Sequence, residues 1–274
     1  MSKTCGSRIL LALADNMSVV SSCFLGCSFT LGEGFSQSER ELYIYDRLVA
    51  KTFGWKHTNL GTGGASNYKI FMAACNALRS KKFNVVFVQW SALNRIWFYP
   101  GPDTYFFVNG PDIDYKYRYI HLTANERCTL RKHIQILNHD YQNIIELIDY
   151  CAIINTLASS LDIDIVFING LVPWQNDLAT DIPVDLDLSK HLSSYTKEIL
   201  DFDHRDDNEI LQFFKNLRSK FAELDQSKWI NLFDSMLDNT IDTGPEGHHP
   251  GKNSHAWIAG LTTEYIIKNL KELT

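Results

Sequence analysis

The chain has 274 residues, 45% of them hydrophobic and 12% aromatic, enough to bury a large core in one α/β domain with insertions. Its 26 Lys and Arg against 32 Asp and Glu give a net charge of −6, which excludes a global positive field toward nucleic acid or anionic lipid. No run approaches the roughly 18 to 20 apolar residues that span a bilayer, so a soluble protein is expected.

The segment from Met1 to Asn16 carries Arg8 and the apolar run Ile9–Ala14, too short for a convincing secretion signal and followed at once by Asp15-Asn16. A cytoplasmic location is expected. Cysteines 5, 23, 27, 75, 128 and 151 form no Cys-x-x-Cys pair, and Cys23, Cys75 and Cys151 fall in apolar segments, as free thiols do in a reducing compartment. Strands are predicted at Ser18–Leu25, Thr58–Leu60, Asn84–Trp90, Ile163–Asn169 and Trp229–Phe233. Helices are predicted at Ser38–Phe53, Ser66–Ser80, about Ala124 to Leu161, Asn208–Leu224 and Asn253–Leu273, the last with Asn253 or Ser254 as cap. Continuous apolar strands alternating with helices imply a parallel sheet of about five strands covered on both faces, a three-layer α/β/α sandwich in a single domain, 1–274. The segments at about 98–121 and 171–207 read as long loops, either walling one cleft or decorating the surface with no ligand.

Four constellations carry chemistry. Ser28, in Gly26-Cys27-Ser28-Phe29-Thr30, follows the first strand, where a turn presents a hydroxyl at the carboxyl edge of the sheet. Asn59-Leu60-Gly61-Thr62-Gly63-Gly64 leads from a strand into a helix. It lacks both dinucleotide and P-loop spacing, which favours an oxyanion site of backbone N–H groups. Gln89-Trp90-Ser91-Ala92-Leu93-Asn94-Arg95 ends the third strand and aims polar groups at the same crevice. Glu246 and His249, in Asp242-Thr243-Gly244-Pro245-Glu246-Gly247-His248-His249-Pro250, have the spacing of an orienting acid and a general base. A metal-dependent hydrolase built on His248, His249, His255 and Asp242 is the competing use of these side chains. Adjacent histidines in a loop usually face different ways, so no metal and no cofactor are expected. Cys27, a second possible nucleophile, should point away from Ser28 into the packing layer.

In this order the blocks resemble the SGNH, or GDSL-type, hydrolase superfamily, over about Val19 to Ala259, and look like its divergent members in phage and environmental viral genomes. The resemblance implies a flavodoxin-like sheet, Ser28 as nucleophile and His249 as base. It also implies an oxyanion hole of the Ser28 and Gly64 N–H groups, and His255 at the start of the last helix. Three positions depart from the pattern. Cys27 replaces the Asp before the serine. Glu246 replaces the Asp before the histidine, with Asp242 as alternative acid. Ser91 stands where the oxyanion Asn belongs, with Asn94 or Asn67 as alternative donors. The expected activity is acyl transfer from an ester, an O-acetyl or other short acyl group on a carbohydrate, with Arg95 and Trp90 at the substrate, a core position being the equal alternative for Trp90, and Trp97, Tyr99 and Tyr105 as further stacking faces. The alternative is a silent module of the same fold that binds glycan or serves in assembly.

Overall fold

The computed structural model describes residues 19–93, 95–101, 104–109, 140–172, 178, 194–200, 203 and 205–274. The N-terminal leader-like segment, Asn94, Cys128, the first part of the long predicted helix and most of 171–207 lie outside them. Strands β1 (Ser21–Leu25), β2 (Lys56–Asn59), β3 (Val85–Trp90) and β6 (Asp164–Asn169) form a parallel sheet in the order β2-β1-β3-β6, with Cys23 opposite Val86 and Val88 opposite Phe167. Every residue of β3 is buried. Successive side chains of a strand point to opposite faces, so full burial means that both faces of the sheet are covered.

The covering helices pack in two groups: α2 (Gln37–Tyr43) and α3 (Tyr45–Phe53) with α8 (Lys252–Asn269), and α4 (Asn67–Arg79) with α5 (Asp140–Ser160) and α7 (Asp207–Phe221). The chain is an α/β protein with a parallel sheet. Two shorter helices, α1 (Ser28–Leu31) and α6 (Ser194–Ile199), are also present among the described residues. Among the described residues no helix is long and apolar enough to cross a membrane.

Three elements differ from expectation for identifiable reasons. The predicted helix Ser38–Phe53 is two helices, because Ile44 is extended and the Tyr45 N–H donates to His255 Nδ1 (3.3 Å). The predicted fifth strand shrinks to one parallel bridge, Phe167 to Trp229. The Asn231 side chain replaces the next ladder bonds, accepting from Asn169 N (2.8 Å) and donating to Asn169 O (3.0 Å). Part of the expected loop 98–121 is an antiparallel hairpin, β4 (Arg95–Gly101) with β5 (Thr104–Asn109), as runs of aromatic and β-branched residues allow.

The order β2-β1-β3 sends the chain to one side of β1 and then to the other. The crevice above β1 and β3 is therefore the switch point where ligands of such sheets bind. Beside it, Asp46 is fully buried and accepts from Asn59 Nδ2 (3.1 Å), and Asn59 in turn donates to Thr30 O (2.6 Å) and accepts from Gly61 N (2.8 Å). Burial lifts the Asp46 carboxyl from 3.8 to about 6, an effect that Asn59 and Arg47 only partly offset. A carboxyl whose folded value exceeds its unfolded value stabilises while protonated. That contribution is whole below about pH 4 and is lost as pH rises through about 6, up to ~3 kcal/mol. Asp46→Asn should therefore gain on the wild type by up to ~3 kcal/mol between about pH 4 and 7 in denaturant unfolding; a difference independent of pH would contradict this.

Candidate active site

Ser28 opens α1 directly after β1 and is 3% exposed. The turn is fixed from below. Thr30 Oγ1 donates to Gln89 Oε1 (2.7 Å) and shares a hydrogen bond with Tyr45 Oη (2.9 Å), and Gln89 Nε2 donates to Trp90 O (2.7 Å). Gly26 is required here, since a Cβ would collide with Thr30 Oγ1 and stand 2.8 Å from Gln89 Oε1. Cys27 is fully buried with its sulfur accepting from Gln89 Nε2 (3.4 Å), but it does not point away from Ser28 as expected, since the Ser28 hydroxyl donates to the same sulfur (4.0 Å).

The glycine turn is carried to the same edge by main-chain bonds that prolong the β1–β2 pairing, Leu60 N to Phe24 O (2.8 Å) and Thr62 N to Gly26 O (2.9 Å). A Cβ at Gly61 would stand 2.5 Å from Leu31 N, so only glycine lets the turn lie against α1. Gly64 is left-handed (φ 70°), ahead of the Ser66 cap of α4. The third block is closed on itself. Ser91 is fully buried, its N–H donates to Asn67 Oδ1 (2.8 Å), and Asn67 Nδ2 donates to Ser91 O (3.2 Å) and Ala92 O (3.5 Å). The Ser91 amide and the Asn67 side chain are thus committed to each other, and Asn94 lies outside the described residues. Trp90 is also fully buried, stacked on Phe167 at 6.0 Å, and offers a ligand no surface. Arg95 is half-buried at the start of β4; Trp97 and Tyr99 lie on β4 and Tyr105 on β5.

The last block is a closed loop. Thr243 bridges Pro250, Gly244 N donates to His249 O (2.8 Å), Gly251 N donates to Asp242 O (2.8 Å), and Gly247 takes φ 78°. The loop delivers His249 to the segment that follows Ser28. The His249 ring meets Phe29 edge-on at 6.1 Å, and a Cβ at Gly34 would touch His249 Cβ at 3.7 Å. His249, 11% exposed, has a carboxylate at each nitrogen: Glu246 Oε2 lies 3.4 Å from Nδ1 and Glu33 Oε2 3.7 Å from Nε2. The Nδ1 contact has ion-pair length without hydrogen-bond alignment, which leaves Nδ1 buried and unbonded. Burial, with His248 adding to it, holds the imidazole below its usual 6.5 despite Glu33 and Glu246, so His249 is a neutral base at neutral pH.

No protein-family model and no curated protein sequence matches the chain. Solved structures do overlay on it. A GDSL-like lipase from Bacteroides thetaiotaomicron VPI-5482 is 10% identical, covering 96% of this chain and 97% of its own, with a TM-score of 0.41. The psychrotrophic esterase EstA from Pseudoalteromonas sp. is 10% identical over 92% and 98%, with a TM-score of 0.41. The acetyl xylan esterase Est2A from the rumen bacterium Butyrivibrio proteoclasticus is 13% identical over 93% and 66%, with a TM-score of 0.45. Identities and scores this low assign no residue a role, which leaves the chain's own contacts to do so.

Those contacts separate the two candidate acids. Asp242 accepts from Asn253 N (3.1 Å), Ser254 N (2.8 Å) and Ser254 Oγ (2.9 Å), and so caps α8 from outside the helix in place of the expected Asn253 or Ser254. His255 is buried, stacked on Tyr45 and bonded to its amide, and its desolvation lowers it to about 4. Glu33, absent from the sequence reading, is the new member of the site: a Cβ at Gly63 would stand 2.8 Å from its Oε2, so its carboxylate lies between the glycine turn and His249. Its only sequence signal is a charged residue between Gly32 and Gly34, five positions after Ser28. Asp242→Ala should cost about 1 to 2 kcal/mol of stability as a lost cap, whereas Glu246→Gln, on an exposed loop, should leave the melting temperature within about 1 °C. Equal destabilisation by both would contradict the assignment.

Proposed function

We propose that the chain is a serine hydrolase of esters, acting on an O-acetyl or other short acyl group of a carbohydrate through Ser28, His249 and Glu246. The observation that supports it best is the delivery of a partly buried, neutral His249 to the residues flanking Ser28, with a carboxylate at its Nδ1. In this reading Glu246, 3.4 Å from Nδ1, turns into line with it and holds the proton there, which frees Nε2 to act as base. Ser28 Oγ attacks the ester carbonyl while Nε2 takes its proton. Charge on the carbonyl oxygen is received by the N–H groups of Ser28 and Gly64. The intermediate collapses as His249 protonates the departing alcohol, and a water activated by His249 then releases the acid. Nε2 faces Glu33 in the resting geometry, so the Glu33 side chain, 43% exposed, turns aside as substrate enters and becomes an acceptor for a sugar hydroxyl.

One observation favours the silent module instead: the Ser91 amide and the Asn67 side chain bond to each other, which takes two candidate donors from the oxyanion hole. Turnover decides between the two. p-Nitrophenyl acetate should be hydrolysed, and Ser28→Ala and His249→Ala should each lower kcat/KM by at least about a thousandfold with the fold intact by circular dichroism. A wild-type rate in either variant would remove that residue from the mechanism.

A further inference from the structure

The loop that carries His249 holds more than an orienting acid. Adjacent histidines in a loop are expected to diverge, yet the rings of His248 and His249 lie 4.5 Å apart and both address one oxygen, Glu246 Oε2. His248 Nε2 is 3.6 Å from it and His249 Nδ1 is 3.4 Å from it, and the three side chains bring their ligand atoms within 4.8 Å of one another.

The protons can be assigned in part from chemistry. His248 Nδ1 lies 2.9 Å from the Glu246 carbonyl oxygen. A carbonyl only accepts, so Nδ1 carries the hydrogen, and in the neutral ring Nε2 is a bare lone pair. A ring N–H held by a backbone carbonyl is also how metal-binding histidines are oriented. His249 Nδ1 is buried with no hydrogen-bond partner, while Glu33 stands ready to hold a proton on its Nε2. In that tautomer two lone pairs and a carboxylate oxygen converge with no donor between them, and among the described residues no Lys or Arg pairs with Glu246. Zinc bonds imidazole nitrogen at about 2.0–2.1 Å and carboxylate oxygen at about 2.0–2.2 Å, which places tetrahedral ligand atoms about 3.3–3.5 Å apart. The 3.4 Å separation falls within that range and the 3.6 Å separation lies about 0.1 Å above it, so two of the three ligand pairs already stand close to the zinc spacing.

We propose that Glu246, His248 and His249 form a three-ligand site for zinc, its fourth position open to water, and that its occupancy switches the active site off. The inhibitory half rests on the acyl-transfer reading above. Bound zinc takes the Nδ1 lone pair of His249, which forces the remaining ring proton onto Nε2, against Glu33. A protonated Nε2 cannot accept the proton of Ser28, and Glu246 is withdrawn from its orienting role at the same time. His248 touches neither Ser28 nor the reacting atoms in that reading and only adds to the burial that keeps His249 neutral, so its removal separates the two functions.

The test has two arms on the full chain. In the first, zinc sulfate is titrated against a chromophoric chelator, a readout independent of turnover. One zinc per chain is expected, with binding weakened at least about tenfold in His248→Ala and in Glu246→Gln. His248 is 64% exposed, so its replacement does not threaten folding. No competition by the wild type, or equal competition by His248→Ala, would overturn the site. In the second arm, zinc should suppress p-nitrophenyl acetate hydrolysis reversibly with EDTA, and His248→Ala should keep its turnover and lose the suppression. Zinc that binds without slowing the wild type would overturn the switch. An absence of turnover with and without zinc would remove the acyl-transfer reading and the switch with it, and leave the site to stand on the binding arm.

Discussion

One buried amide sets the geometry of the crevice. Gln89 interrupts the otherwise apolar β3, and an amide at that depth destabilises the fold unless both its ends are bonded. Its oxygen is met by Thr30 and its nitrogen by the Trp90 carbonyl, and both bonds need bare backbone alongside. Gly26 and Gly170 supply it, because a Cβ at either would run into the Gln89 side chain. Satisfying Gln89 therefore fixes α1, and with it Ser28, to the carboxyl end of the central strand. Asn59 ties the same helix to the glycine turn, donating to Thr30 O and accepting from Gly61 N. Two polar side chains thus hold three separate segments to within a hydrogen bond of one another.

The far side of the crevice is held differently. The loop of 242–251 is closed by its own main-chain bonds and rooted by Asp242 on the first amides of α8, so the position of His249 depends on a helix end rather than on the sheet. Within the loop the electrostatics are asymmetric. His249 is nearly buried between two half-exposed carboxylates, and the choice of which nitrogen bears the proton determines whether the imidazole is a base toward Ser28 or a ligand toward a cation. In the proposed scheme, acyl transfer and zinc binding are two states of one ring.

Much of this was legible in the sequence, and what was not has physical causes. Apolar runs such as Val85–Val88 identify a doubly covered strand because burial on both faces leaves no alternation to read. Local turn chemistry likewise marks the strand-to-helix turn at Ser28 and the left-handed turn at Gly64. The misses come from long-range partners. Residue pattern alone does not reveal that Ile44 breaks a helix, since the amide it frees is answered by His255, 210 positions later. Nor does it decide between core and cleft for Trp90, or reveal that Asp242 is spent on a helix cap, because both depend on what packs opposite. Glu33 is hidden for the same reason: its role comes from His249, which the chain reaches only at the far end of the fold.

The proposed acyl transfer requires Ser28 to be an activated nucleophile. Incubation of the folded chain with a fluorophosphonate, followed by peptide mass spectrometry, tests this without any assumption about the ester. The prediction is a single phosphonylated residue, Ser28, with labelling lost in His249→Ala. An unlabelled chain, or a label on another serine, would contradict it.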